Sequence, residues 1–447
     1  MFWYKLNFVP TQYRITGRGA EEISAAVERG VREGGLTPGA SLPPVRRLAS
    51  DLGVAPTTVA AAYADLRRRG LVETAGRRGT RIRSRPATAP RTAIAIAVPP
   101  GARDLSHGEP DRELLPPLAP VLSRITPGPF GYADDPVLPS VRELAARRLA
   151  ADGVPVDALT LCHGALDAIE RVLASRVRPG DRVAVEDPAW ANLLDLLAAL
   201  GAEPVGMPVD DEGPLPEAAS AAVGRGVTAM VVTSRAHNPT GGAISPSRAS
   251  ALRAVLAGSG VLVIEDDHAA ELAGVPLAPL AGATPHWAVV RSVSKPYGPD
   301  LRCALLAGDP ATVARVDGRR RLGPGWVSRL TQQIVAELWQ DPQVDALIAR
   351  AAGVYDARRG ALLGALRSAG VHAVGRTGLN VWVPVADETA AVTALRDGGI
   401  VVAPGSRYRV NSGPGIRVTA STLPVEDAPA VAAAVATAVT ARLAPHT

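Results

Sequence analysis

Apolar positions recur every four residues near the start of the chain, at Ile23, Val27 and Val31, and predict an amphipathic helix over residues 20–33. Gly34 and Gly35 end it. Pro43-Pro44 opens a second helix, because proline is tolerated in a first turn, with Val45, Leu48, Ala49 and Leu52 on its inner face. Gly53 breaks that helix, and Pro56 opens a third with Val59, Tyr63 and Leu66 turned inward. Two short helices about a glycine turn make a helix-turn-helix. Residues 71–74 and 80–83 flank Gly76-Arg77-Arg78-Gly79, which predicts a β-hairpin with a basic tip. Residues 84–103 hold Pro86, Pro90, Pro99 and Pro100 among small residues and read as a semi-stiff linker.

Beyond the linker the pattern changes. Apolar runs at 183–185, 229–232, 261–264 and 288–290 predict buried strands, with helical stretches such as 191–200 and 247–256 between them. That alternation predicts an α/β domain with a mostly parallel sheet. Ligands of such sheets sit beyond the carboxyl ends of the strands. The polar segments 186–190, 233–241, 265–268 and 291–295 are therefore expected to converge. From about residue 353 a smaller C-terminal α/β portion follows, with strands near 381–383 and 416–418.

Charge sharpens this division. Residues 1–85 carry 15 Lys/Arg against 7 Asp/Glu, whereas the remaining residues carry 33 against 36. A basic segment on a near-neutral body points to a polyanion partner, and with a helix-turn-helix to double-stranded DNA. No apolar run is long enough to cross a bilayer, and the aromatic N-terminus lacks the basic start of a signal peptide, so no membrane contact and a cytoplasmic setting are expected. The two cysteines, Cys162 and Cys303, have no metal-type spacing; neither a metal nor a disulfide framework is expected. Of the 48 basic residues only Lys5 and Lys295 are lysines. A lysine deep in such a chain calls for a chemical reason.

Lys295 stands in Ser292-Val293-Ser294-Lys295-Pro296-Tyr297-Gly298-Pro299-Asp300-Leu301-Arg302. A desolvated lysine loses its charge and can attack an aldehyde, while nearby hydroxyls and a guanidinium can hold a phosphate. This run resembles the lysine motif of fold-type I pyridoxal 5′-phosphate (PLP) enzymes, the aspartate aminotransferase superfamily. The resemblance implies a Schiff base of PLP on Lys295, with Ser292 and Arg302 on the phosphate. It extends to the other loops. Asn238 in His237-Asn238-Pro239-Thr240-Gly241 matches the asparagine on the phenolic oxygen, and Asp266 the aspartate on the pyridine nitrogen. Trp190 matches an aromatic stacked on the ring, and Gly164-Ala165 a helix start beneath the phosphate. Tyr132 matches a tyrosine that reaches the partner subunit's phosphate. Arg417 matches the arginine on a ligand α-carboxylate. The sequence departs from the pattern at His268, where the family usually has a tyrosine, and at His163, where a small hydroxyl residue is common.

Residues 20–83 resemble the GntR-type winged helix, on Leu42-Pro43-Pro44-Val45-Arg46, Leu48-Ala49, Leu52-Gly53-Val54, Thr57-Thr58-Val59, Tyr63, Leu66, Gly70-Leu71-Val72 and Gly79-Thr80. The resemblance implies a third helix in the major groove, DNA contacts by Arg46, Thr57 and Thr58, and wing contacts by Arg77, Arg78 and Arg81. Ala55-Pro56 replaces the family's frequent Ser-Arg, which removes a cap and a base-reading arginine.

Together the head (13–83), linker (84–103) and body (104–447) resemble the MocR subfamily of regulators. That implies a head-to-tail homodimer that holds PLP and answers to an amino compound or to PLP itself. Two other readings stay open: a working aminotransferase with an accessory head, and a regulator that has lost its cofactor.

Overall fold

The computed structural model describes residues 13–32, 35–37, 39–68, 71–74, 79–83, 96 and 98–440. They fall into two compact units, an N-terminal head and a body. The head is α1 (Ala20–Arg32), α2 (Val45–Leu52) and α3 (Pro56–Arg68), followed by β1 (Val72–Thr74) antiparallel to β2 (Thr80–Ile82). Its core is the predicted set: Ile23, Val27, Leu48, Ala49, Val59, Tyr63 and Leu66 are buried, while Val45 and Leu52 lie half-buried at the rim. Gly53 takes φ +66° where α2 ends, the left-handed geometry that glycine adopts without a Cβ clash. The Tyr63 hydroxyl donates to the Pro43 carbonyl at 2.9 Å and pins α3 to the entry of α2. Arg77 and Arg78, at the expected tip of the wing, lie outside the described residues, as does the expected linker at 84–95 and 97.

The body opens with β3 (Arg103–Asp104). Its large sheet is built from β4 (Ala158–Cys162), β5 (Arg182–Asp187), β6 (Glu203–Asp210), β7 (Gly213–Pro214), β8 (Ala229–Thr233), β9 (Leu262–Asp267), β10 (Trp287–Ser292) and β11 (Ala304–Gly308). The spatial order is β4-β11-β10-β9-β8-β5-β6-β7. The four predicted strands β5, β8, β9 and β10 form its parallel centre. Antiparallel β11 and β4, which the sequence reading did not anticipate, extend one side. Each buried Val, Ile or Leu of this layer contributes about 1.5–3 kcal/mol of burial.

The smaller subdomain holds β12 (Asn380–Pro384), β13 (Ile400–Val401), β14 (Ala403–Pro404) and β15 (Gly415–Thr419), with sheet order β12-β15-β14. Two boundaries move from the sequence expectation. Residue 353 is not a break but lies inside the continuous helix Pro342–Ser368. That helix packs Val344, Ile348 and Tyr355 on the large core and Leu362 and Leu366 on the small one, so packing on both sides keeps it whole through its glycines. The end of the expected linker also belongs to the body. Arg103 and Asp104 pair with β13, and Leu105 is buried in the small core.

The central strands run further than their apolar runs. β9 continues through Glu265, Asp266 and Asp267, all buried, where a polar loop was expected. Charged residues extend a buried strand only when they are partnered. Both oxygens of Asp267 accept from Arg235, at 2.8 and 3.0 Å, and one also accepts from Arg291 at 2.7 Å. Burial alone would raise the Asp267 pKa, but Arg291 and Arg235 outweigh it and hold the carboxyl below its ordinary value. Glu265 accepts from the Leu280 amide and the Ser234 hydroxyl.

Asp267→Asn leaves two buried guanidiniums short of an anion and is expected to cost about 3 kcal/mol in a denaturant melt. Because the folded pKa is depressed, the stabilisation is complete above the ordinary aspartate pKa of about 4 and drains away as pH falls below it. The variant's acid limb should therefore be flatter than the wild type's.

Candidate functional site

At the carboxyl ends of the central strands lies a cavity of about 440 Å³. That is within the range of roughly 300–1,000 Å³ usual for small-molecule sites. Lys295, Asn238, His268, Trp190, Ser292, Ala165, Arg302 and Arg417, all singled out by the sequence, line it together. Four separate segments converge there because parallel strands deliver their ends to one edge.

Lys295 sits in the short helix Ser294–Tyr297 directly after β10. Its amine donates to the Gly108 carbonyl at 2.8 Å. Burial pushes its pKa down to about 8; Arg417 pushes the same way, while Asp266 and Glu109 pull back. Such a lysine gives up its proton more readily than an ordinary one.

Strand alternation turns Asp266 to the opposite face from Asp267. Its Oδ2 lies 3.3 Å from Nδ1 of His268. Its Oδ1 is buried and meets no donor among the described residues. A buried carboxylate oxygen without a donor is costly, and a protonated heteroaromatic nitrogen is the group it suits. His268 thus bears on Asp266 as well as on the cavity, which the alignment of its position with a tyrosine did not suggest.

Gly164, at φ +95°, precedes the helix Ala165–Ala174. A Cβ there would come within 2.6 Å of the Arg302 guanidinium. Arg302 itself has φ +42° and donates to the His163 carbonyl at 3.1 Å. The helix's first amides and this guanidinium make a cradle for an anion such as phosphate. The Ser294 hydroxyl is buried with no partner among the described residues. His163 turns to Asp167, with Nδ1 3.7 Å from its carboxylate.

Arg417, on β15, is 5% exposed. It donates to Asn238 Oδ1 at 2.9 Å and to the Ser106 carbonyl, and lies 5.1 Å from the Tyr408 ring centroid. Its Nε is buried without a partner among the described residues. Burial lowers its pKa, because no carboxylate is among the groups that bear on it.

Tyr132 is not in the cavity. It is 93% exposed and meets Trp326 edge-on at 5.7 Å, so it is not a core residue. Ser106, Glu109, Ser294, Arg407 and Tyr408 bear on the site and were not singled out. The segment Gly405-Ser406-Arg407-Tyr408, shortly before Arg417, was the readable signal. In the head, Arg46 and Thr57 are exposed at the starts of α2 and α3, Thr58 is half-buried, and Arg81 is half-buried in β2 opposite Glu73.

These features define a winged-helix protein whose body has an aminotransferase-type fold. Residues 104–435 match aminotransferase class I and II, and residues 19–82 match the bacterial regulatory proteins of the gntR family. The chain belongs to the gntR-type transcription regulators that carry an aminotransferase class I and II body, the MocR subfamily. It is 40% identical to the vitamin B6 salvage pathway transcriptional repressor PtsJ of Salmonella typhimurium, over 92% of this chain and 96% of that one. It is 30% identical to the pyridoxine biosynthesis transcriptional regulator PdxR of Corynebacterium glutamicum, over 69% of this chain and 67% of that one. Among solved structures, an archaeal alanine:glyoxylate aminotransferase shares the fold at a TM-score of 0.69 and 23% identity, covering 76% of this chain and 90% of that one. No helix among the described residues is long and apolar enough to cross a membrane.

With only two lysines in the chain, lysine-directed labelling reads Lys295 against Lys5. In protein freed of cofactor, reductive methylation at Lys295 should be half-maximal near pH 8 and rise with pH, as the amine loses its proton, whereas an ordinary lysine titrates above 10. Mass spectrometry of the two peptides measures both.

Proposed function

We propose that this regulator couples the occupancy of the Lys295 site to operator binding, with PLP as the group held and an amino compound or PLP itself as the signal. The observation that carries this reading is the meeting of Lys295, the donor-free Asp266 oxygen, the Arg302–Gly164 cradle and buried Arg417 around one cavity. Those residues fit PLP group by group: a nucleophile, a carboxylate for the ring nitrogen, a phosphate cradle and a guanidinium for a ligand carboxylate. Asn238 turns its carbonyl oxygen to Arg417, which leaves its amide N–H groups for a phenolic oxygen. When bound, PLP supplies an aldehyde for which Lys295 and an incoming amine compete. Arg417 orients that amine's carboxylate, and Trp190 covers the site.

A signal shifts a regulator only by binding its two states unequally. Displacement of Lys295 is such a difference, because it frees the short helix after β10. The reading takes a head of residues 13–83, a linker that ends before Arg103, a body that begins with β3, and a head-to-tail homodimer in the cytoplasm that pairs two heads on operator DNA. The printed names of its relatives concern vitamin B6 salvage and pyridoxine biosynthesis. They support target genes that handle B6 vitamers. In the head, Arg46, Thr57, Thr58, Arg77, Arg78 and Arg81 are the DNA contacts this reading assigns.

The second reading, a working aminotransferase, draws on the same cavity, since Lys295, Asp266, Asn238 and Arg417 are all retained.

Three measurements test the proposal. Lys295→Ala should abolish the borohydride-fixed PLP adduct and make operator affinity indifferent to PLP. Arg46→Ala should weaken operator binding and reduce the slope of log K against log salt by about 1 for the lost phosphate contact. Rapid steady-state transamination with a panel of amino donors, together with no specific DNA binding, would overturn the regulator reading in favour of the second.

A further inference from the structure

β5 ends in two acidic residues, Glu186 and Asp187, and the second reaches across to the small subdomain. Asp187 is 6% exposed. Its Oδ1 accepts from the Val410 amide at 3.0 Å and the Ser412 hydroxyl at 2.6 Å, and its Oδ2 from the amides of Asn411 and Ser412 at 2.7 and 2.8 Å. Three successive backbone amides turned on one carboxylate make a nest for an anion. Two residues on, the Ala189 amide donates to the Tyr408 carbonyl at 2.7 Å. Room for the carboxylate comes from β6, where a Cβ on Gly206 would stand 2.8 Å from Oδ2. From the small subdomain, Glu388 at the start of the helix Glu388–Asp397 accepts from the Ser406 amide at 2.9 Å and lies 3.3 Å from Arg409. Residues 406–412 are therefore gripped from both sides.

This seam carries the ligand side of the cavity. Tyr408 is buried, packs with Ala191, Trp382 and Ala403, and lies with its ring 5.1 Å from the Arg417 guanidinium. Ala403 is the strand partner of Arg417. Trp190, next to Ala189, lines the same cavity. Lys295, Asp266 and the Arg302–Gly164 cradle stand on the large subdomain, whereas Arg417 comes from the small one, on β15. Joint recognition of an amine and its carboxylate therefore depends on how the two subdomains are held.

We infer that Asp187 is a positioning residue: by holding the Tyr408 segment to the loop that carries Trp190, it sets the spacing between Arg417 and Lys295 at which a ligand's carboxylate and amine are met together. This rests on the proposed function, since it takes the Lys295 cavity as the site of an amino ligand. Asp187 does not line the cavity and acts through Tyr408. A recognition group must be held within roughly 0.5 Å of its productive place. A buried carboxylate with four hydrogen bonds is a stiff means of doing so.

The test is an equilibrium titration of full-length, PLP-loaded protein, read by the cofactor's absorbance and by calorimetry. The probes are L-alanine against ethylamine and L-phenylalanine against phenethylamine, pairs that differ by the α-carboxylate, with affinities expressed per unprotonated amine. In the wild type the better-fitting amino acid should bind at least about 10-fold tighter than its amine, the worth of one charge-assisted pair. Asp187→Ala should cut that advantage to within about threefold, leave the amine within about twofold, and still fix PLP on Lys295. Ser412→Ala removes the hydroxyl and keeps the three amides, so it should lower the advantage by about threefold, the worth of one hydrogen bond, and it carries the test if Asp187→Ala does not fold. Asp309→Ala is the control for a merely structural loss. Asp309 caps the helix Pro310–Arg321 and accepts from the Trp287 amide beside the start of β10, at the opposite end of that strand from Lys295. Its loss should lower Tm and leave the advantage unchanged. No carboxylate advantage in the wild type, an equal loss for amino acid and amine in Asp187→Ala, or the same loss of advantage in Asp309→Ala overturns the inference. A protein that fixes PLP on Lys295 and binds its operator, yet keeps its full advantage in Asp187→Ala, overturns this inference alone. A protein that takes up no PLP on Lys295 overturns the proposed function and this inference with it.

Discussion

Two adjacent carboxylates at the buried end of β9 set the terms for the rest of the body. A strand sends neighbouring side chains to opposite faces, so Asp266 and Asp267 cannot share partners. Asp267 meets Arg235 and Arg291 and is neutralised within the fold. Asp266 keeps one buried oxygen without a donor among the described residues, beside His268 of the cavity wall. One carboxylate thus secures the sheet edge on which the other is presented. Without the first, a charged strand end in the core would be too costly to hold the second in place.

The cavity inherits this asymmetry. The body neutralises its own buried charges, as at Asp267 on the sheet and at Arg320 with Asp317 on the helix Pro310–Arg321. On the cavity wall Arg417 is buried, and its Nε meets no partner among the described residues. Burial lowers the Lys295 pKa to about 8, so its amine gives up its proton more readily than an ordinary lysine's. Arg417 cannot give up its proton at accessible pH, so its charge stays on the cavity wall. The small subdomain carries Arg417 and Arg407, while the large one carries Lys295, Asp266 and the phosphate cradle. The helix Pro342–Ser368 packs on both cores, and Asp187 at the end of β5 accepts from the amides of Val410, Asn411 and Ser412, which ties the two together.

The winged helix is a different kind of object. Its stability comes from a small apolar core, with Tyr63 pinning α3 to the entry of α2. Arg46 and Thr57 stand exposed at the starts of α2 and α3. Local periodicity, glycine turns and proline starts determine these elements, which is why the head's fold was readable from the chain.

The sequence by itself determined the head's three helices and hairpin, the parallel centre of the large sheet, and the convergence of Lys295, Asn238, Trp190 and His268. Each follows from a short local pattern, and parallel topology then delivers strand ends to one edge. Only the tertiary structure decided the rest. The antiparallel strands β4 and β11, the return of residues 103–105 to the small core, and the unbroken helix through Gly353 depend on contacts between distant segments. Burial of Glu265 and Asp267 in a strand depended on arginines and amides up to 32 residues away, which no local window contains. Arg407 and Glu109, which no motif in the sequence marked, line the cavity only once the chain is folded. Charge has no periodicity, so where it counts is settled by what it is folded against.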